Sequence, residues 1–386
     1  MIDVTRIPLS LYVHLPWCVS KCPYCDFNSH AVPSAGLPED MYVAALLDDL
    51  EFAARDVAGR EIVSVFFGGG TPSLFSAGAI RHVLDRARAL LPFAADVEVT
   101  LEANPGTVEH GRFVDYAAAG VNRVSLGAQS FDDATLRALG RIHASVDIER
   151  AVTEVRAAGI DRLNLDLMYA LPGQDVAGAL GDLERAIALQ PTHLSHYQLT
   201  LEPGTPFARR PPARLPDDDA SLQMQEACQA RLAAAGFEQY EVSAYARPGH
   251  RCRHNLGYWR FDDYLGVGAG AHGKVTLPDG SIVRTVRARH PGSYLAAATP
   301  PARVTEQRAV PVRDVPFEFC LNALRLDDGF ADPEFAARTG LSTDVMSRPL
   351  AEATRRGLLG YDGERWRPTG LGRRFLNDLQ GLFLPG

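Results

Sequence analysis

The sequence predicts an α/β protein built on a partial barrel of six parallel strands, a TIM-like (β/α)6 fold. Short β-rich runs alternate with helix-like stretches through the first two hundred residues, at the spacing typical of βα units. Several runs are apolar nearly throughout, as expected for parallel strands that are buried on both faces. From about residue 314 the pattern changes to three helices and a hairpin, which predicts a C-terminal, α-rich domain that resembles a winged helix.

The elements of the barrel can be read in order. The predicted strands are LYVHL (11–15), IVSVFF (62–67), VEVTLEA (97–103), RVSLGAQ (123–129), LNLDLMY (163–169) and LSHYQLT (194–200). The helices predicted between them are residues 38–57, 77–91, 107–120, 147–159 and 177–190. A proline-rich, charged stretch at 206–220 breaks the pattern, and a helix (220–237) and a strand-like run (238–246) follow it. We expect a core barrel at 1–240, a connecting segment at 241–310 and the C-terminal domain at 311–386.

Composition limits the classes of function. The chain has 386 residues, 46% of them apolar, and a net charge of −8, which argues against a general nucleic-acid coat. No run of about 18 apolar residues predicts a membrane span, and the first residues do not resemble an export signal. Six cysteines, three of them clustered, are not a disulfide framework. These features together predict a cytoplasmic protein.

The cysteine cluster follows the first predicted strand. Cys18, Cys22 and Cys25 lie in a loop where Pro16 and Pro23 oppose a regular helix, so the three thiols can surround a common point. The sequence leaves four interpretations open: buried core cysteines, a redox pair of Cys22 and Cys25, a zinc site completed by a histidine, or an iron–sulfur cluster. His14 or His30 would complete the zinc site.

The C-x3-C-x2-C spacing, with Tyr24 before the third cysteine, resembles the radical S-adenosylmethionine (SAM) superfamily. The resemblance implies a 4Fe–4S cluster on Cys18, Cys22 and Cys25. It also implies that SAM occupies the fourth iron and that an electron from the cluster cleaves it to methionine and a 5′-deoxyadenosyl radical. An electron donor would then be required.

More narrowly, the chain resembles the oxygen-independent coproporphyrinogen III oxidase family. The matching motifs are LYVHLPWC, FFGGGTPS, EANP, RVSLGAQ, LGRIH, NLDLMYALPGQ and YQLTLEPGT. This similarity implies ten SAM contacts, most of them near the ends of the predicted barrel strands. They are Tyr12, Gly69, Gly70, Thr71, Glu102, Gln129, Arg141, Asp166, Thr200 and His272.

Two departures count against the oxidase activity, in which a radical removes hydrogen from two propionates that become vinyl groups. The oxidases have a fourth cysteine two residues after the third, where this chain has Phe27. They also carry a long segment before the cysteines that helps to enclose the substrate, whereas this chain reaches Cys18 almost at once. Whether the protein is an enzyme is therefore left open.

The segment His254-Asn255-Leu256-Gly257-Tyr258-Trp259, an HNxxYW motif, resembles the HemW-type heme chaperones. That resemblance implies heme binding and delivery to acceptor proteins, among which respiratory enzymes are candidates. An imidazole can ligate heme iron and aromatic rings can stack on the macrocycle, so His254, Tyr258 and Trp259 are the heme candidates. His250 and Cys252 are rival ligands.

A third hypothesis is a DNA-binding sensor, because the C-terminal domain is rich in arginine. The residues are Arg355, Arg356, Arg365, Arg367, Arg373 and Arg374. Winged helices also serve as lids and docking surfaces, and the chain as a whole is acidic, so we expect no nucleic-acid partner. The sequence leaves a monomer and a dimer equally open.

Overall fold

The computed structural model describes residues 2–57, 59–107 and 112–385. The six predicted barrel strands are all present and lie side by side, parallel and in chain order. They are β1 (Leu9–Leu15), β2 (Ile62–Gly69), β3 (Phe93–Ala103), β4 (Arg123–Gln129), β5 (Arg162–Tyr169) and β6 (His193–Gln198). Their carboxyl ends meet at one edge of the sheet, which is the edge where βα barrels carry their chemistry. The predicted fold class is confirmed.

Helices cover the outer face of these strands. They are Glu39–Ala54, Ala77–Leu90, Arg112–Ala119, Asp133–Ala138, Ser145–Ala157 and Val176–Ala188. The predicted helix at 107–120 begins at Arg112, and residues 108–111 of that prediction lie outside the described residues. The apolar side chains of the strands and the helices form one continuous core. Parallel strands that helices cover are buried on that face, so the side chains there are mainly apolar.

The sheet continues beyond both sides of the barrel. Next to β1 lie Asp263–Val267, which is parallel to it, and then the antiparallel strands His272–Thr276, Ile282–Arg287 and Val304–Ala309. Next to β6 lie Ala244–Ala246 and Glu238–Glu241. The predicted strand at 238–246 is thus a pair of antiparallel strands. The segment expected to connect two domains supplies strands to the main sheet, and the boundaries at 240 and 310 stay predictions.

The C-terminal part has its own small core. Its longer helices are Val315–Ala323, Asp332–Thr339 and Ser347–Arg355, and its three short strands are Phe330–Ala331, Leu359–Tyr361 and Arg365–Pro368. Phe319, Phe330 and Phe335 are almost fully buried in this core. Phe261 and Ile282, which precede the domain, are members of the same cluster. The C-terminal part is therefore packed onto the barrel.

The arginines that prompted the DNA-binding hypothesis are all paired with carboxylates. The pairs are Arg355 and Arg356 with Glu352, Arg365 with Glu334, Arg367 with Asp362, Arg373 with Asp327 and Arg374 with Glu226. Each positive charge has a negative neighbour, so these residues do not form the unbalanced basic surface on which phosphate binding depends. Within the described residues, no helix combines the length and apolar character that crossing a bilayer needs.

Candidate functional site

The cysteine loop, residues 17–31, is closed at its base. Trp17–Cys18 pairs with His30–Ala31 as two short parallel strands, and the Val32 amide donates to the Cys18 carbonyl (2.9 Å). The three cysteines of the loop line one cavity of about 130 Å³, which we call the cluster cavity. They are Cys18, Cys22 and Cys25. The loop thus brings the three thiols to a common space, as the sequence predicts.

The thiols fit an iron–sulfur cluster better than a closed zinc site. His30 hydrogen-bonds to the Asn28 amide oxygen (3.3 Å), and His14 donates from Nε2 to the Asn28 carbonyl (2.8 Å), so neither completes a four-ligand set. Among the residues that the structure describes, no three His, Cys, Asp or Glu side chains converge on one ion. A multi-iron cluster needs no such convergence, because its thiolates lie around the cluster rather than around a single metal. Burial raises the pKa of the Cys18 and Cys25 thiols, and bound iron would offset this by favouring the thiolates.

The glycine segment at the end of β2 packs directly on the cysteine loop. The Gly70 amide donates to the Leu15 carbonyl, and the Thr71 amide donates to the Trp17 carbonyl, each at 2.8 Å. A Cβ on Gly70 would lie 2.5 Å from the Trp17 carbonyl oxygen, and one on Gly69 (φ +120°) would lie 2.6 Å from the His14 ring. The glycines are therefore required by the packing of the protein on itself. Gly69, Gly70 and Thr71 nevertheless line the cluster cavity.

Two carboxylates stand on the wall of this cavity. Glu102, near the end of β3, accepts a hydrogen bond from the Gly69 amide (3.1 Å), and Asp166 of β5 accepts from Asn164 (2.8 Å) and Ser125 (3.2 Å). Enclosure by protein and the neighbouring Asp166 raise the pKa of Glu102 to about 8, and enclosure also raises the pKa of Asp166. Both carboxyls would be favoured as anions by a cationic ligand. The ammonium and sulfonium groups of SAM are such cations.

A cation with a free donor lies on the same wall. Arg141 donates to the Gly127 carbonyl (2.8 Å) and to Cys22 Sγ (3.5 Å), but its buried Nε has no partner among the described residues. A buried N–H without an acceptor is costly, and the carboxylate of SAM would satisfy it. Gln129 nearby has φ +70°, an uncommon conformation for a residue other than glycine, and it accepts a hydrogen bond from Tyr197 (2.9 Å). The cavity therefore offers complementary groups to both ends of an amino acid.

The structure brings most of the predicted SAM contacts to this region. Those that line the cluster cavity are Gly69, Gly70, Thr71, Glu102, Gln129, Arg141 and Asp166. Tyr12 and His272 line only a second, larger cavity that adjoins it. Thr200 lines neither of the two, and its hydroxyl donates to Glu202 (2.8 Å). It lies two residues beyond the end of β6.

The larger cavity has a volume of about 1030 Å³, and we call it the inner cavity. The HNxxYW segment forms a short helix, Arg253–Trp259, which we call the motif helix. A spacing of four residues puts His254 and Tyr258 on the same face of this helix, and both line the cavity together with Trp259. Five of the described residues line both cavities and form the wall between them. They are Phe27, Gly69, Glu102, Ser125 and Asp166.

His254 is fully engaged by its neighbours. Its Nδ1 hydrogen-bonds with Ser64 and its Nε2 with Tyr258, each at 3.0 Å, and its ring stacks on Phe66 at 5.0 Å. Burial lowers the pKa of His254 to about 3, so the ring is neutral at physiological pH. To bind iron, His254 would have to give up one of these two hydrogen bonds so that a ring nitrogen could face the metal.

The rival ligands lie elsewhere. Cys252 is fully buried and donates from its thiol to Glu98 (3.4 Å), and burial raises the pKa of this thiol to about 12. Neither Cys252 nor His250 lines the inner cavity. Cys252 instead contributes to the packing at the start of the motif helix.

Sequence reasoning missed three arginines that line the inner cavity. Arg123 begins β4, Arg289 follows the strand Ile282–Arg287, and Arg325 comes from the C-terminal part. The Arg325 guanidinium lies over the Trp259 ring (4.4 Å). Trp259 Nε1 and Arg325 Nε are both buried, and neither has a partner in the part of the chain that the structure describes. Arg123 could have been found from the sequence, because it shares a strand face with Ser125, Gly127 and Gln129. No comparable sequence pattern predicts that Arg325, which is far from the barrel strands in the sequence, lines the cavity.

Comparison with known proteins agrees with this geometry. The model of the radical SAM superfamily matches residues 12–186, and that of the HemN C-terminal domain matches residues 310–375. The heme chaperone HemW of Escherichia coli strain K12 is 52% identical over 98% of each chain. The heme chaperone HemW of Haemophilus influenzae is 47% identical, again over 98% of each chain.

A solved structure shares the fold. Coproporphyrinogen III oxidase (HemN) from Escherichia coli, a radical SAM enzyme, superimposes with a TM-score of 0.82. The match covers 98% of this chain and 90% of that one, at 23% sequence identity. At this identity the likeness shows the architecture and does not extend to activity.

Proposed function

The chain belongs to the heme chaperone HemW family of the radical SAM superfamily, and we propose from this membership that it binds heme and delivers it to acceptor proteins. The observation that carries the proposal is the inner cavity, which the motif helix lines. Its volume of about 1030 Å³ is just above the range of roughly 300–1,000 Å³ that is usual for cofactor and ligand sites. Such a space suits a large, flat, mainly apolar ligand.

The chemistry of the cavity wall supports heme in particular. Tyr12, Phe66, Tyr258 and Trp259 supply aromatic faces for a macrocycle. The unpartnered donors of Trp259 and Arg325 would be satisfied by carboxylates such as the propionates of heme. Because Arg325 comes from the C-terminal part, that part would contribute directly to the heme site.

We propose further that Cys18, Cys22 and Cys25 hold a 4Fe–4S cluster and that the wall of the cluster cavity binds SAM. When bound, the cluster supplies an open iron for SAM and an electron for its reduction. Of the protein's own groups, Glu102 and Arg141 would bind the methionine end, and Gln129 and Asp166 would bind the ribose hydroxyls. The shared wall would let the contents of the cluster cavity shape the heme site.

Metal analysis and heme titration test the binding part of this proposal. After anaerobic reconstitution, we expect about four iron and four sulfide per chain, as a single 4Fe–4S cluster requires, and saturable heme binding by absorbance. Cys22→Ala should lose the iron, whereas Cys228→Ala, a buried cysteine away from the loop, should keep it. Tetrahedral zinc or no metal in the native protein would contradict the proposal.

Transfer kinetics test the delivery part. Heme-loaded protein is mixed with a heme-free respiratory b-type cytochrome, and apomyoglobin serves as a trap that reports spontaneous heme release. We expect transfer to the cytochrome to exceed spontaneous release and to saturate with cytochrome concentration. Equal rates to both acceptors would contradict directed delivery. Conversion of coproporphyrinogen III to protoporphyrinogen with stoichiometric 5′-deoxyadenosine would instead favour the oxidase.

A further inference from the structure

Among the residues that the structure describes, three imidazoles line the inner cavity, and they differ in how their ring nitrogens are used. Those of His254 are both hydrogen-bonded, as described above. His14 donates from Nε2 to the Asn28 carbonyl (2.8 Å), and its Nδ1 hydrogen-bonds with the Tyr12 hydroxyl (3.0 Å). His272 makes no ring hydrogen bond to any residue that the structure describes. Of the three described imidazoles of this cavity, it is the one whose lone pair is free.

The backbone of His272 is fixed although its ring is free. His272 opens the strand His272–Thr276 and pairs in register with Val286, which also lines the cavity. On the other side, a Cβ on Gly266 would lie only 1.8 Å from the His272 carbonyl oxygen, so the two backbones are in close contact. A rigid backbone that presents an exposed, unengaged side chain loses little conformational freedom when that side chain binds a ligand.

A metal binds imidazole through an unprotonated ring nitrogen, and no described residue hydrogen-bonds to the ring of His272. By contrast, iron binding by His14 or His254 would first have to break a hydrogen bond at a cost of about 1 kcal/mol or more.

We propose that His272 supplies an axial imidazole to the iron of heme bound in the inner cavity. This inference rests on the proposed function. It gives His272 a different role from the SAM contact that family resemblance implies, since His272 lines the inner cavity and not the cluster cavity. His254 then positions Tyr258 and the aromatic wall through its two hydrogen bonds.

Ferric heme titration of single variants tests the assignment. His272→Ala is compared with the native protein and with His82→Ala, an exposed histidine on the helix Ala77–Leu90. The cluster and SAM are present throughout, and the absorbance of the heme-free sample is subtracted. We expect His272→Ala to shift the Soret band and to weaken heme binding about tenfold, which corresponds to about 1.4 kcal/mol, while its SAM affinity stays unchanged.

Rescue with free imidazole separates ligation from a structural effect. If the side chain is an iron ligand, millimolar imidazole should enter the space left in His272→Ala and restore the native Soret band and electron paramagnetic resonance signal. A variant with native spectra, or a changed spectrum that imidazole does not restore, would overturn the assignment while leaving heme binding intact. Absence of heme binding by the native protein would instead remove the proposed function itself.

Discussion

Glu98 should control the position of the motif helix, and its replacement by glutamine tests this. One Glu98 oxygen accepts hydrogen bonds from the first two amides of the motif helix, Arg253 (2.9 Å) and His254 (3.3 Å). The other oxygen accepts from Arg162 (3.0 Å). The Glu98 side chain is only 2% exposed and that of Arg162 is 27% exposed. Glutamine preserves the shape but turns one acceptor into a donor, so either the helix amides or the guanidinium loses its partner.

The size of the effect follows from these contacts. Loss of a helix cap costs about 1 kcal/mol, and a buried donor left without an acceptor costs about 1–3 kcal/mol. Since only one of these two partners is lost, we expect Glu98→Gln to lower the free energy of unfolding by about 1–3 kcal/mol and to weaken heme binding, because His254 and Tyr258 move with the helix. Urea unfolding followed by circular dichroism measures the first quantity, and heme titration measures the second.

Glu149→Gln is the matched control. Glu149 pairs with Arg185, but the two side chains are 48% and 45% exposed, and an exposed ion pair contributes only about 0–1 kcal/mol. Native stability and heme affinity in Glu98→Gln, or a loss no greater than that of the control, would refute the idea that this carboxylate fixes the motif helix.

Three further outcomes follow from the charged groups. Since the pKa of Glu102 is raised to about 8 by enclosure and by Asp166, binding of cationic SAM releases a proton, and equilibrium dialysis should show affinity rising up to tenfold per pH unit until about pH 8. Glu102→Gln should remove that dependence. Burial lowers the pKa of His196 to about 4 from its ordinary 6.5, so its contribution to stability is complete above pH 6.5 and falls, by about 1.4 kcal/mol per pH unit, as the pH drops towards 4. His196→Phe should lessen the pH dependence of urea unfolding by that amount, and an unchanged dependence would contradict the assigned burial. Arg325→Gln should weaken binding of heme several-fold but not that of heme dimethyl ester, whereas Arg313→Gln, at an exposed position, should affect neither.

The barrel was predictable because its signals are local. The run RVSLGAQ coincides with β4 residue for residue. A parallel strand that helices cover has apolar residues at its outward positions, and this pattern can be recognised in the sequence. The cysteine spacing likewise predicted a loop that brings three thiols together. The strand pattern and the cysteine spacing each involve residues that are close together in the sequence, so a single sequence is enough to recognise them.

The inner cavity was not predictable to the same extent. Its wall combines all six barrel strands, the motif helix, the strand His272–Thr276 and Arg325, and these contacts depend on how distant segments pack. One sequence pattern does indicate part of this wall: polar residues recur with a period of two in the barrel strands, as with Asn164 and Asp166 of β5. A period of two in a buried strand marks the face that points into the barrel.

The wall between the two cavities suggests why one chain would combine a radical SAM site with heme binding. Glu102 and Asp166 border both spaces, so a cationic ligand in the cluster cavity that ionises Glu102, whose pKa is raised to about 8, also changes the charge on the wall of the inner cavity. Any resulting effect of SAM on heme affinity must equal the effect of heme on SAM affinity, because the two share one coupling free energy. Phe27, which stands where the oxidases have their fourth cysteine, borders both spaces and is 63% exposed. At this boundary the chain has an apolar ring instead of a fourth thiol, a substitution that suits a wall against a macrocycle.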